Sequence, residues 1–235
     1  MVESSIQNSR SAVLNHGVTW ILRHWLLVIN VMMGIYVVTP FFAPIFMKDG
    51  LTSQANLIYL IYSTQCHQLP ERSYFLFGQN ITYSLNDINA VRGSQDVLTL
   101  RQFNGNPQMG YKIAWSDRMI SLYTCIWIGG LIYALLRRRF WVPSLIVTAI
   151  LLTPILLDGG THFISDIQGF GQGFRDTNDW LRALTGGTFS SYFYAGDGLW
   201  SFNSVMRMWT GALAGLALAW TIYPRIDGFF GGQKQ

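Results

Sequence analysis

The chain has 235 residues, 50% of them hydrophobic and only 12% charged, about half of the roughly 25% found in an ordinary soluble domain. Sixteen Lys+Arg against twelve Asp+Glu leave a net charge of +4. This excludes a disordered chain, a coiled coil, a disulfide scaffold and an ordinary cytosolic enzyme, and no basic stripe with interleaved aromatics points to nucleic acid.

Residues 1–24 read as a cytoplasmic N-terminal segment. His16 and His24 lie near its end; they could ligate a pigment or haem, but interfacial histidine is the commoner explanation. Trp25 to Met47 then runs 23 residues without a charge. A helix needs about 20 apolar residues to cross a bilayer, and in hydrocarbon a helix satisfies its own backbone, so this is the first predicted span. It starts too late and runs too long for a cleaved signal peptide. Pro40 and Pro44 are expected to kink it or shape its end.

Ala55 to Thr64 is too short for a span and reads as an interfacial helix that Ser53 could cap. Directly after it comes Cys66-His67-Gln68-Leu69-Pro70-Glu71-Arg72-Ser73, six kinds of polar chemistry in eight residues. An ionisable cluster at membrane depth is a functional hypothesis by default; the bland alternative is a polar network tying helix ends, with Glu71 and Arg72 paired locally or with other loops. Residues 79–116 look like an extracytoplasmic insertion. Within them Val97–Phe103, Asn104–Pro107 and Gln108–Trp115 read as strand, turn, strand.

Met119 to Leu136 and Phe140 to Leu157 are charge-free runs of 18 residues each, the second and third spans. Arg137, Arg138 and Arg139 between them mark the cytoplasmic side. At the far end of the third span stands Asp158-Gly159-Gly160-Thr161-His162, with Asp166 beyond. On a continuous helix Asp158, His162 and Asp166 share one face and could hold a divalent transition metal, although the two glycines weaken that helix; a helix cap with a hydrogen-bonded histidine competes. Arg175-Asp176-Thr177-Asn178, followed by Arg182, puts Asn178 and Arg182 on one helical face with Arg175 a turn earlier. Arginine forks suit phosphate or carboxylate; salt bridges to Asp158, Asp166 or Glu71 are the alternative. Leu184 to Met206 reads as interfacial or half-inserted.

Met208 to Pro224, 17 residues, is the fourth span. Its Gly211, Gly215 and Ala219 let another helix approach closely, and internal packing is favoured over dimerisation. Residues 225–235 form a cytoplasmic tail. The whole is an all-α membrane domain over 25–224, with spans near 25–47, 119–136, 140–157 and 208–224, both termini inside a prokaryotic inner membrane. That orientation leaves net +5 inside and −1 outside. Cys66 and Cys125 are expected to stay unpaired. The chain has no nucleophile elbow, P-loop, dinucleotide fingerprint or His-x-x-x-His pair. Its Asp158-Gly159 and later aspartates fit the CDP-alcohol phosphotransferase signature poorly in residues and spacing.

In this order the motifs resemble a prokaryotic family of predicted membrane proteins, domain of unknown function 2085. Its pattern of CHQxPxRSF, a Gly, a Cys-x-Arg-Cys segment, Asp-Gly and Arg-x-Ser/Thr-Asn-x-x-Arg-x-x-Thr-Gly is matched at Cys66 to Tyr74, Gly78, Arg118, Asp158-Gly159 and Arg175 to Gly186. The chain departs at Ser116-Asp117-Arg118-Met119, where both family cysteines are missing, and in its longer stretch between Gly78 and Arg118. The resemblance implies that the motifs form one site and supplies no activity.

Two functional readings follow. In the first, Cys66, His67 and Arg72 are catalytic candidates. Gln68, Arg118, Arg175, Asn178 and Arg182 bind an anion or lipid headgroup, and Asp158, His162 and Asp166 hold a metal. In the second, the chain is a non-catalytic subunit of a respiratory or photosynthetic membrane complex. Membrane lipids are partners in both. A transporter ranks third, because no charged residue falls inside a predicted span core.

Overall fold

The structure, a computed structural model, describes residues 17–93, 96–137, 141–169 and 171–231. His16, Arg138, Arg139 and Lys234 lie outside them. Four helical stretches are long and apolar enough to cross a membrane: Trp25–Lys48, Asp117–Leu136, Leu145–Ile167 and Phe202–Phe229. The protein is a multi-pass, mostly α-helical membrane protein with a small three-stranded sheet.

Pro40 has a local effect. It begins a 3-10 turn, Thr39–Phe41, that separates the helix Trp25–Val38 from Phe42–Lys48. Pro154 and Pro224 sit inside continuous helices, where neighbouring helices compensate the lost hydrogen bond.

The third helix starts later and ends later than its charge-free run. Pro143 and Ser144 set its start, and the Ser144 hydroxyl accepts from the Val147 amide at 3.3 Å. It then continues through the Asp158-Gly159-Gly160 segment to Ile167. The fourth helix begins at Phe202 and runs 30 residues, about 45 Å at 1.5 Å per residue. That exceeds a hydrocarbon core of roughly 30 Å. Its first turns, with Arg207, therefore project into the polar end.

The small-residue stripe packs internally. A Cβ on Gly215 would meet Leu122 O, with Cys125 Cβ 2.9 Å away, and one on Gly211 would strike Ser121 Oγ. A Cβ on Gly129 of the second span would lie 2.5 Å from the Ala219 Cβ. Small residues about one turn apart thus bring the second and fourth helices into close backbone contact.

Three sequence expectations are corrected. Val97–Gln102 is a helix, because the Asp96 side chain accepts from the Thr99 amide and nucleates a turn. The principal partner of β3 (Gly110–Ser116) is then β1 (Ser73–Leu76), in the order β1-β3-β2, with β2 only Gly105–Asn106. Ser53 does not cap the helix Thr52–Ser63, whose N-cap is Leu51. Leu184–Met206 is not one helix: it holds the end of Asp179–Leu184, the turn Ser191–Tyr194 and the start of the fourth span.

The sheet ties the polar segments to the bundle. Phe75 pairs with Lys112 and Ser73 with Ser116. Trp115, fully buried, stacks on Tyr123 of the second helix at 4.9 Å between ring centroids. Tyr59, Tyr62, Ile113 and Val37 complete this core. Burying several aromatic side chains, each worth about 1.5–3 kcal/mol, fixes the Cys66–Arg72 segment over one end of the bundle.

Candidate functional site

The candidate site grows from an unusual density of buried charge. Arg72 leaves the 3-10 turn Pro70–Arg72 and donates to both oxygens of Asp166 at 2.7 and 2.9 Å, and from Nε to Asp197 at 3.0 Å. Arg207 donates to Asp117 at 2.8–3.0 Å through three contacts, and also to Asp197. Arg118 and Arg175 both donate to Asp158, at 2.8 and 2.9 Å. Four guanidiniums thus face four carboxylates.

Bidentate forks make these charge-assisted bonds strong. Burial alone would make Arg72 less basic, but Asp197 and Asp166 outweigh it and raise its pKa well above the usual value. Burial likewise opposes ionisation of Asp197, yet Arg207 and Arg72 hold its carboxyl well below the ordinary range. For Arg175, burial prevails over Asp158 and lowers the guanidinium pKa.

A half-open cavity of about 380 Å³ lies against this network. Its wall includes Cys66, His67, Gln68, Arg72, Arg118, His162, Asp166 and Arg207, together with the apolar Leu69, Met119, Phe163 and Ile167. Segments distant in sequence are therefore brought together as one concave surface. Three guanidiniums and a single carboxylate line that wall, with Asp117, Asp158 and Asp197 paired to them from behind.

The candidates differ in what they do there. Cys66 is buried, and its sulfur accepts from the Gln68 amide at 3.3 Å. Gln68 takes the left-handed conformation, φ 53°, and its side-chain amide donates to Tyr59 O and Ala114 O at 2.9 and 3.0 Å. It straps the loop to the sheet. His67 is exposed at the rim. Glu71 and Arg72 do not pair with each other; Glu71 is buried with neither oxygen hydrogen-bonded.

Asp158, His162 and Asp166 do share one helical face, since the helix runs unbroken past both glycines. Their lone pairs are engaged elsewhere: Asp158 by Arg118, Arg175 and Thr210, Asp166 by Arg72. Among the described residues no group of three or more His, Cys, Asp and Glu is placed to hold a metal.

The Arg175–Arg182 segment is not one helix. Asn178 breaks it at φ 47°, a conformation Asn tolerates better than most residues. Its amide nitrogen ties Arg175 O and Tyr194 O, each at 2.7 Å. Arg175 lies behind the cavity wall as a clamp on Asp158. Arg182 is exposed, its guanidinium 5.1 Å from the Tyr194 ring centroid, and it does not line the cavity.

Asp117, Asp197, Arg207 and Asn203 were not singled out from the sequence. The signal available was positional: Asp117 and Arg207 each flank an apolar run on the side where the long loops meet. Asn203 accepts from Arg175 Nε at 3.1 Å and donates to Arg175 O at 2.6 Å, fixing the clamp from both ends.

One pair of atoms gives the cavity its polarity. The His162 Nε2 lies 3.1 Å from Arg175 Nη2. A guanidinium only donates, so Nε2 accepts and the ring proton sits on Nδ1. That Nδ1 is buried with no partner, and so is Arg118 Nε. Both are donors without acceptors in the cavity wall.

These features define an integral membrane protein with a guanidinium-lined cavity at the long-loop end of a four-helix bundle. Residues 108–195 match the family described as "Predicted membrane protein (DUF2085)". The matched stretch takes in Arg118, Asp158-Gly159 and Arg175–Gly186; the CHQLPERS segment lies before it. An uncharacterised protein of Methanocaldococcus jannaschii is similar, 26% identical over 172 residues that cover 70% of this chain and 85% of the relative. No solved structure matches.

Proposed function

We propose that the cavity binds an anionic group, the phosphate of a lipid headgroup, at the extracytoplasmic face of the membrane. The observation carrying this reading is the pair of buried, unpartnered donors, Arg118 Nε and His162 Nδ1, in the wall of a half-open cavity. Buried donors are almost always satisfied, and an oxyanion would satisfy both. Leu69, Met119, Phe163 and Ile167 supply an apolar side suited to the start of acyl chains. Sidedness rests on the run Arg137, Arg138 and Arg139 in the sequence, which favours the cytoplasm and leaves the cavity at the opposite end.

The same residues set the chemistry available. His67 at the rim and Cys66 in the wall are the groups nearest a bound headgroup that could move a proton or attack an electrophile. The Arg72–Asp166 pair, joined to Arg207 through Asp197, holds the wall rigid.

The test uses the full chain, purified in an uncharged detergent, with native mass spectrometry in added phosphatidylglycerol and, separately, inorganic phosphate. A retained lipid identifies the headgroup; retained phosphate alone identifies a free anion. Arg118→Gln and His162→Phe should each lower retention roughly tenfold, the scale of a lost charged hydrogen bond. Retention equal to wild type in both folded variants defeats the reading.

A further inference from the structure

A second cavity, about 310 Å³, lies on the other side of Arg72. It inverts the first: Glu71, Asp176 and Asp197 line it, and Arg72 is its one guanidinium among the described residues. The rings of Tyr83 and Tyr192 stand in the same wall. Arg72 lines both cavities.

The three carboxylates are not equivalent. Asp197 is saturated by Arg72 and Arg207. Asp176 accepts from the Gly173 amide at 2.8 Å and starts the short helix Phe174–Thr177. Glu71 is different: the residue is 4% exposed, and neither Oε1 nor Oε2 has a hydrogen-bond partner. The 3-10 turn behind fully buried Pro70 holds it there.

The neighbouring cations give their hydrogen bonds elsewhere. All three guanidinium nitrogens of Arg72 are committed to Asp166 and Asp197. Lys112, fully buried, gives its ammonium to Gln68 O and Arg101 O at 2.8 and 2.7 Å. A buried carboxylate with no bonded partner is satisfied by taking up a proton or by a cation that reaches it. A bare metal fits poorly, because no three ligating groups converge among the described residues.

We propose that this second cavity binds a small organic ammonium ion, with Glu71 as its counter-charge and the Tyr83 and Tyr192 rings beside it. An ammonium donates to both free oxygens of Glu71, and aromatic faces attract the same charge. Two sources carry this chemistry, a free amine and the amine headgroup of a phospholipid. The site is separate from the anion cavity and does not depend on it.

The experiment titrates the full-length protein in uncharged detergent, at about pH 8 where a carboxyl held near 7 is ionised, with ethanolamine hydrochloride followed by calorimetry. A parallel arm adds phosphatidylethanolamine and reads adducts by native mass spectrometry. Saturable uptake of either probe is expected, weakened at least about tenfold by Glu71→Gln and severalfold by Tyr192→Ala at the exposed rim. Arg118→Lys should leave ethanolamine uptake unchanged, which separates this site from the anion cavity. Ethanolamine uptake assigns a free amine, and uptake of the lipid alone that Glu71→Gln weakens assigns a headgroup. No saturable binding of either probe overturns the proposal, as does binding that survives Glu71→Gln in folded protein. Should Glu71→Gln fail to fold, wild-type affinity in Tyr192→Ala overturns it.

Discussion

Arg207 of the fourth helix grips Asp117 at the first residue of the second, with Nε 2.8 Å from Oδ1 and Nη2 2.8 Å from Oδ2. The two residues are 90 positions apart, and their side chains are 3% and 2% exposed. The pair sits where the stripe of small residues brings these two helices together, so close packing and charge pairing lock the same interface. Asp197 joins the pair to Arg72 and hence to the cavity wall.

Removing one member of that pair should cost more than removing both. Arg207→Met leaves Asp117 buried without its main partner, a loss of about 3–5 kcal/mol. Arg207→Met with Asp117→Asn should recover a substantial part of it. Thermal unfolding in detergent, scored by the fraction remaining monodisperse, reads the difference. Equal losses in the single and double variants would refute the assignment.

Gly215→Leu should separate the second and fourth helices. Its Cβ would meet Leu122 O and Cys125 Cβ, and overpacking of this kind costs about 1–3 kcal/mol. Gly228→Ala, with no atom within 4 Å of the added carbon, should be neutral. A melting temperature lowered only in Gly215→Leu confirms internal packing.

Glu71 should impose a pH dependence on stability. Burial lifts its carboxyl from 4.5 to about 7, partly offset by Arg72. A raised folded pKa means that the folded state holds the proton more tightly. The stabilisation is full below the unfolded value near 4.5 and disappears as pH rises through about 7. Burial also lowers Lys112 from 10.5 to about 7, which adds stability as pH climbs from 7 towards 10.5. Glu71→Gln should therefore flatten the pH 4.5–7 limb and leave the alkaline limb. An unchanged acid limb would show that Glu71 is not the group responsible.

Sidedness can be read directly by labelling. In a Cys66→Ala, Cys125→Ala background, Arg92→Cys lies on the long-loop side and Gly228→Cys near the end of the fourth helix. A membrane-impermeant maleimide applied to intact cells should label the first and not the second. The reverse pattern would place the cavity in the cytoplasm.

The four spans were legible in the sequence because transfer into hydrocarbon is a local, additive property of a run of residues. Helix ends were less legible. The charge-free run in the third helix stops at Leu157, but the helix continues because Asp158 is neutralised by Arg118 and Arg175 from elsewhere in the chain. The stripe at Gly211, Gly215 and Ala219 announced a close approach, and only the fold named Leu122 and Cys125 as its far side. Val97–Gln102 became a helix because the Asp96 cap outweighed its β-branched and apolar composition.

Of the site, the sequence by itself marked three polar segments beside the spans, CHQLPERS, DGGTH and RDTN, by residue type and position. Only the tertiary structure decided who faces whom. It turned Arg72 towards Asp166 and Asp197, left Arg182 outside, enlisted Asp117 and Arg207, and stranded Glu71 in a cavity of its own. The physical reason is that an apolar run is scored against the bilayer, whereas a buried charge is satisfied by a partner that can lie 125 residues away, as Asp197 does from Arg72; no local window contains that distance.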